Sequence, residues 1–305
     1  MKPLTRRRFM SVCAMAGACA AMPWAGALAS APLHRWNGIL LGADVSLTLA
    51  HPSGTEASRI FKRCVREIKR LENIFTLYDS HSELSRLNEN GVLQAPSPEM
   101  IDILKQARTY HAITGGAFDV TVKPLERGPE HLHLVGMDKL EIGKNEIRFT
   151  QPGMGITLNG IAQGYITDRI TELLKAEGLN NVLVELGEKR SIGGHPQGRP
   201  WQLAVEGQET PVSLTNKAMA TSAALSPNTN AHHIFKPRDG RFANAHQNVS
   251  VIAETAAMAD ALSTGFLSMD EKAVRKVHSR EKALSAVYLT KPFPYTQIAV
   301  INRST

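Results

Sequence analysis

The stretch Leu158–Asp168, LNGIAQGYITD, constrains this chain more than any other. A β-type run (Ile156, Thr157, Leu158) tightens at Asn159-Gly160 and continues as a helical pattern to about Glu177. Gly160 and Gly164 bracket the junction, where the missing Cβ lets a backbone come close to a ligand. A helix that starts there points its free N–H groups and positive dipole end outward, which suits a phosphate. Glycine at such a junction also serves packing alone, so the reading needs a second element. Met258–Thr264, MADALST, supplies one. Asp260 and Thr264 are four apart on a predicted helix, so both project from one face. A carboxylate, a hydroxyl and a free carbonyl at a glycine turn are oxygen donors for a hard cation such as Mg²⁺, which takes water and substrate phosphates as its other ligands. By itself the Asp/Thr pair would as readily satisfy hydrogen bonds at a helix surface.

The rest of the chain sets the frame. Its 305 residues suffice for one large domain or two small ones, and 43% hydrophobic with 21% charged residues indicates a folded body rather than disorder. The net charge is +7, but Lys2, Arg6, Arg7 and Arg8 supply four of those charges in the first 29 residues, leaving +3. No basic run interleaved with aromatics appears, which argues against nucleic acid as a partner. Thr5-Arg-Arg-Arg-Phe-Met10, followed by an Ala-rich apolar run to Ala29, matches a twin-arginine export signal. The domain division is therefore a signal peptide at 1–29 and one domain at 30–305, with a periplasmic location. The run is broken by Gly17, Pro23 and Gly26, unlike a bilayer span, so the chain is not expected to be an integral membrane protein. Ala16-Gly-Ala-Cys19 is a poorer match, to a lipoprotein anchor. With Cys13 and Cys19 in the signal, Cys64 stands alone and is read as a small core residue.

Along the mature chain, Gly38–Ala50 reads as one strand kinked at Gly42, and Gly54–Phe75 as an amphipathic helix. Thr76–Asn90 reads as a polar loop in which Tyr78 packs on the core. Ser97-Pro98-Glu99 opens a helix that Gly115-Gly116 stops. Ala117–Val122 alternates like a short strand, with Asp119 beside the Gly-Gly turn. Residues 125–137 read as irregular, with His131 and His133 lacking further ligands at metal spacing. A hairpin follows at 139–149. Later strands are expected at 181–186, 201–205, 212–214, 218–221, 248–253, 284–290 and 297–301, with helices capped by Thr255 and Asp270. Helices and strands mix without regular βαβ alternation, which indicates a single α+β domain. The pair His232-His233 before the Pro237–Gly240 turn offers a general base, although such pairs are commonly structural.

Taken in order, LGADVSLTL (41–49), LYDSHSELSRLN (77–88), TGGAFDVTVKPL (114–125), LNGIAQGYITD (158–168), WQLAV (201–205), ATSAA (220–224), HHIFKPRDGR (232–241) and VSVIAETAAMADALST (249–264) resemble the FAD:protein FMN transferases, the ApbE-like flavin transferases. The motifs cover nearly all of the mature chain. The resemblance implies an α+β mixed-sheet fold, FAD as substrate and Mg²⁺ as cofactor. It implies transfer of FMN to a threonine or serine hydroxyl of an acceptor flavoprotein subunit of an exported or membrane redox complex, with release of AMP. It assigns Gly160, Asp260 and Thr264 to the metal, and His233 to deprotonation of the acceptor. Leu41, Tyr78, Ala117, Phe118, Asp119, Thr157, Gln163 and Ile234 are assigned to the flavin. The chain departs from the family pattern at Thr157, where many members have Asp, at Gln163, at Ser263, after Ala220-Thr-Ser222, and at Glu188-Lys-Arg190, which replaces a more neutral turn. The departures leave two alternatives, a non-catalytic periplasmic FAD-binding or supply protein and an FAD pyrophosphatase.

Overall fold

Alternation along the strands builds the molecule in layers. The strand Val182–Leu186 sends Val182, Val184 and Leu186 into the main core and Leu183 into a second, smaller one. Val249, Val251 and Ala253 face the main core while Ile252 faces the smaller, and Val287 and Leu289 divide from Ala286 and Tyr288 in the same way. A sheet buried on both faces has this signature.

The computed structural model describes residues 31–206, 208–225, 231–291 and 298–302. The proposed signal peptide at 1–29, with Cys13 and Cys19, lies outside the described residues, as do 226–230 after the Ala220-Thr-Ser222 motif. The elements are β1 (Leu33–Leu40), β2 (Ala43–Ala50), α1 (Gly54–Phe75), α2 (Glu83–Asn90), β3 (Val92–Gln94), α3 (Pro98–Ile113), β4 (Leu140–Ile142), β5 (Glu146–Phe149), α4 (Ala162–Ala176), β6 (Val182–Leu186), β7 (Glu188–Ile192), β8 (Trp201–Leu203), β9 (Val212–Leu214), β10 (Ala218–Ala223), β11 (Asn248–Ala253), α5 (Ala256–Phe266), α6 (Glu271–Arg280), β12 (Leu284–Thr290) and β13 (Ile298–Asn302). Eight strands form one antiparallel sheet in the order β1-β2-β6-β7-β10-β11-β12-β13. α4 and α5 lie on its main-core face against β6, β7, β10 and β11, with α1 and α3 outside them. The β8–β9 ribbon contributes Trp201, Leu203 and Leu214 to the core on the other face. The expected α+β fold is the one observed, built on a large antiparallel sheet. Among the described residues no helix is long and apolar enough to cross a membrane.

Three local expectations are corrected. Gly38–Ala50 is not one kinked strand: β1 and β2 form a hairpin whose two turn residues, Leu41 and Gly42, both have positive φ (55° and 69°). That matches the twist of a tight hairpin, but leucine concealed the turn. Thr76–Asn90 is not all loop, because Ser82 accepts a hydrogen bond from Ser85 N (3.0 Å) and caps α2. Ala117–Val122 is not a strand. The Asp119 side chain accepts from Thr121 N (2.7 Å) and starts a 3₁₀ helix over Val120–Arg127. The expected β-type run Ile156–Leu158 forms no strand and joins no sheet. Asn88 holds it by donating to Ile156 O (2.9 Å) and accepting from Ile156 N (2.7 Å).

Candidate functional site

α5 is apolar nearly all round, and all of its residues except Thr264 are buried. Such a helix belongs in a core, which makes an aspartate in it exceptional. Asp260 is 4% exposed, and its Oδ2 accepts a hydrogen bond from Gly164 N at 3.0 Å. That bond depends on how closely α4 and α5 approach. A Cβ on Gly164 would collide with the Ala256 carbonyl and lie 2.8 Å from Ala257 Cα. The same crossing is fixed by Asp168, whose two carboxylate oxygens accept from Ala256 N (2.7 Å) and Ala257 N (2.9 Å) at the start of α5. Arg190 of β7 donates to Asp168 at 2.7 Å. The stretch 158–168 thus brings both its glycine turn and its first helical turns against α5.

Gly160 sits at that turn. A Cβ there would stand 3.0 Å from Thr264 Oγ1 and 3.3 Å from Phe118 Cε2, so its backbone borders the Thr264 hydroxyl. Thr264 Oγ1 lies 3.1 Å from Ser222 Oγ, which also pairs with Ser263 Oγ at 2.8 Å. Ser263 is fully buried and donates to Asp260 O at 2.9 Å. It braces α5 and does not line the cavity.

Gly160, Asp260 and Thr264 border a cavity of about 330 Å³. Ala117, Phe118, Asp119, Thr157 and Gln163 form further parts of its wall, and His233 and Ile234 complete it from the segment before the 236–241 turn. Leu41 and Tyr78 border an adjoining cavity of about 520 Å³ that shares Asn159 and Gln163 with the first. Ten of the twelve residues singled out from the sequence therefore meet in one cavity, and the other two stand next to it. Tyr78 is 97% exposed rather than packed on the core. Its side chain is free to receive a planar ligand.

The electrostatics of the cavity come from burial. Desolvation pushes the Asp260 carboxyl up to about 7, against the opposing Gly164 N–H and with the Asp168 charge adding to the rise. Sequence reasoning noted Glu188 only as a departure in a turn. Its carboxyl also lines this cavity, is 7% exposed, and has an Oε2 with no hydrogen-bond partner. Burial raises it well above the ordinary carboxylate range, and Asp260 adds to the rise. The sequence carried no signal for it, because 188–190 reads as a turn, whereas in the structure Glu188 opens β7 and its alternate residue, Arg190, pairs with Asp168 of α4. Asp119 was read beside a possible ligand, although strand acids are usually at the surface, and it is 7% exposed. Its Oδ1 is held by Thr121, and its Oδ2 lies 3.2 Å from His111 Nδ1, which raises the imidazole above its usual value. His233 is exposed at the rim, and partial desolvation, reinforced by His232, lowers its pKa. Among the described residues no three His, Cys, Asp or Glu side chains gather as a metal cluster. The cavity offers instead carboxylate, hydroxyl and carbonyl oxygens. Cys64 is buried and free, with burial pushing its thiol up to about 12, as expected of a core residue.

A family model described as the ApbE family matches residues 41–288. A Haemophilus influenzae protein named FAD:protein FMN transferase is 31% identical over 252 residues, covering 70% of this chain and 72% of the relative. Among solved structures, the flavin transferase ApbE from Vibrio cholerae superposes with a TM-score of 0.77 at 24% identity, covering 90% of this chain and 98% of that one. The apo flavinyl transferase ApbE of Pseudomonas stutzeri superposes with a TM-score of 0.79 at 21% identity, covering 90% and 96%. These structures share the fold described above.

Proposed function

The chain belongs to the ApbE family, and from that premise we propose that it moves the FMN half of FAD onto a threonine or serine hydroxyl of an acceptor protein and releases AMP. The observation that carries this reading is the single cavity in which the α4 turn, the α5 face and the His233–Ile234 segment meet. Phe118 and Ile234 give it apolar wall for a flavin ring, and exposed Tyr78 extends that surface toward the adjoining cavity.

The donor set fits a divalent cation. Two buried carboxyl groups, Asp260 and Glu188, share the cavity, and one of their oxygens has no partner. Buried carboxylates are costly unless a positive charge or hydrogen bonds compensate them. Gly160 O, Asp260 and Thr264 Oγ1 are the groups that would hold Mg²⁺. When bound, it supplies positive charge against the pyrophosphate and the departing AMP.

The chain's own residues do the rest. The α4 turn and α5 position the diphosphate. His233, its pKa lowered, is neutral at neutral pH and takes the proton of the acceptor hydroxyl. The hydroxyl oxygen then bonds to the FMN phosphorus, the bond from that phosphorus to the bridging oxygen breaks, and AMP leaves with that oxygen. On the twin-arginine reading of residues 1–29 we place this reaction in the periplasm, with a flavin-carrying subunit of a redox complex as acceptor. The test is intact-mass spectrometry of an acceptor domain after incubation with the chain, FAD and Mg²⁺. A gain of one FMN with equimolar AMP is expected. FMN and AMP formed without an acceptor, and no labelled acceptor, would make the protein a pyrophosphatase. FAD bound with no products would make it a carrier.

A further inference from the structure

Glu188 has no part in the scheme above, yet it occupies the same cavity. The β6–β7 hairpin turns at Gly187, whose φ of 92° lets Leu186 pair directly with Glu188. This places Glu188 at the first position of β7, and its side chain is more than nine-tenths buried. The Thr221 backbone N–H acts favourably on the carboxylate, while Oε2 has no partner. Arg190, two residues along the strand and on the same face, is taken up by Asp168 and by Glu172. Among the described residues neither Glu188 nor Asp260 forms an ion pair, although Asp260 lies near enough to act on Glu188 through its charge. Asp260 and Glu188 therefore share one cavity wall, with an unpartnered carboxyl oxygen and only the Lys189 charge to offset the Glu188 carboxylate. Thr264 and the Gly160 backbone add neutral oxygens on the same walls.

We propose that Glu188 is a second carboxylate ligand of the cation site, so that this chain binds a divalent cation before the dinucleotide arrives. The proposal rests on the reading that the cavity holds a cation at all. Hard divalent ions bind oxygen sites according to the number of charged ligands, and a site with one carboxylate leans on substrate phosphates to complete it. With Glu188 the protein itself supplies two negative charges. The cation then becomes part of the resting site rather than a passenger of the flavin.

The experiment is a titration of the flavin-free chain with Mn²⁺, read by the loss of free Mn²⁺ signal in electron paramagnetic resonance. Native protein and Glu188→Gln are compared, each with and without FAD. Native protein is expected to bind one Mn²⁺ without FAD. Glu188→Gln is expected to weaken that binding roughly ten- to a hundredfold, a range that even outer partners of metal ligands command, and FAD is expected to restore part of it. Thermal melts separate this from a structural role. Replacing a buried carboxyl that lacks a partner by an amide should leave the metal-free melting temperature of Glu188→Gln equal or higher, while the rise on adding Mn²⁺ shrinks. If native protein binds Mn²⁺ only with FAD, or if Glu188→Gln binds it as tightly as native without FAD, the proposal is overturned and the transferase reading stands. If native protein binds no Mn²⁺ under either condition, both fall. Should the variant fail to fold, the flavin-free native titration alone decides in the same way.

Discussion

Gly164→Ala tests the packing on which the site depends. A methyl group there would collide with the Ala256 carbonyl, and its other near neighbours, Ala256 C at 2.7 Å and Ala257 Cα at 2.8 Å, are also backbone atoms. No side chain can swing aside, so α4 and α5 must part by about 1 Å to regain ordinary contact distance. Overpacking of this kind costs about 1–3 kcal/mol, against which alanine regains ~1 kcal/mol of helix propensity. The expected net loss is about 0–2 kcal/mol in urea unfolding. The larger effect falls on function, because the same separation stretches the 3.0 Å bond from Gly164 N to Asp260 and moves Asp260 from the Gly160 turn. A misplacement approaching 1 Å at a reacting centre costs on the order of a hundredfold in rate. Transfer of FMN to an acceptor domain, measured by mass, should therefore fall far more than stability does. A variant as stable and as active as the native chain would show that the helix crossing does not set the site.

Replacing His233 by Asn should slow transfer by roughly 10²–10⁴-fold with little change in FAD affinity; lost affinity with normal turnover of bound FAD would contradict its role as base. Because desolvation lowers its pKa, His233 loses activity as a base only when pH drops below the usual histidine range. With Mg²⁺ saturating, so that Asp260 stays ionised, the native rate should be level through neutral pH and fall in acid, and a rate still rising above neutrality would assign the proton transfer elsewhere. Asp168→Asn weakens the pair with Arg190 and the cap on α5, and should cost about 3 kcal/mol in denaturant melts. A loss no larger than that of a surface ion pair, ~1 kcal/mol or less, would deny it that role. Tyr78→Ala should leave stability within ~0.5 kcal/mol, since the ring is exposed. It should weaken FAD by about tenfold or more if the ring stacks on flavin, and an unchanged FAD affinity would remove Tyr78 from the site.

Features with a local physical cause were legible in the sequence. The Ser97-Pro98-Glu99 start, the Thr255 cap and the 139–149 hairpin appear as expected, because capping and turn chemistry act within a few residues. Features decided by tertiary contacts were not. Leu41 adopts a left-handed conformation that its side chain does not favour, held by the pairing of β1 with β2. Asp119 turned an apparent strand into a 3₁₀ helix by bonding its own backbone two residues on. Asn88 sat inside a recognisable motif, but its bonds to Ile156 span 68 residues, and no spacing rule reaches that far. The meeting of Gly160 with Thr264 was inferred from donor chemistry and family pattern together, whereas Glu188 entered the cavity through sheet register, which the sequence did not disclose.

The central claim is that FAD lies with its diphosphate between the Gly160 turn and the Asp260–Thr264 face of α5. A crystal of the chain soaked with FAD and Mn²⁺, read by anomalous scattering at the manganese edge, tests it most directly. The account expects one strong peak within bonding distance of Gly160 O, Asp260 and Thr264 Oγ1, touching the FAD diphosphate, with His233 on the side open to solvent. FAD seated elsewhere, or a diphosphate that leaves Asp260 untouched with no metal between them, would contradict it.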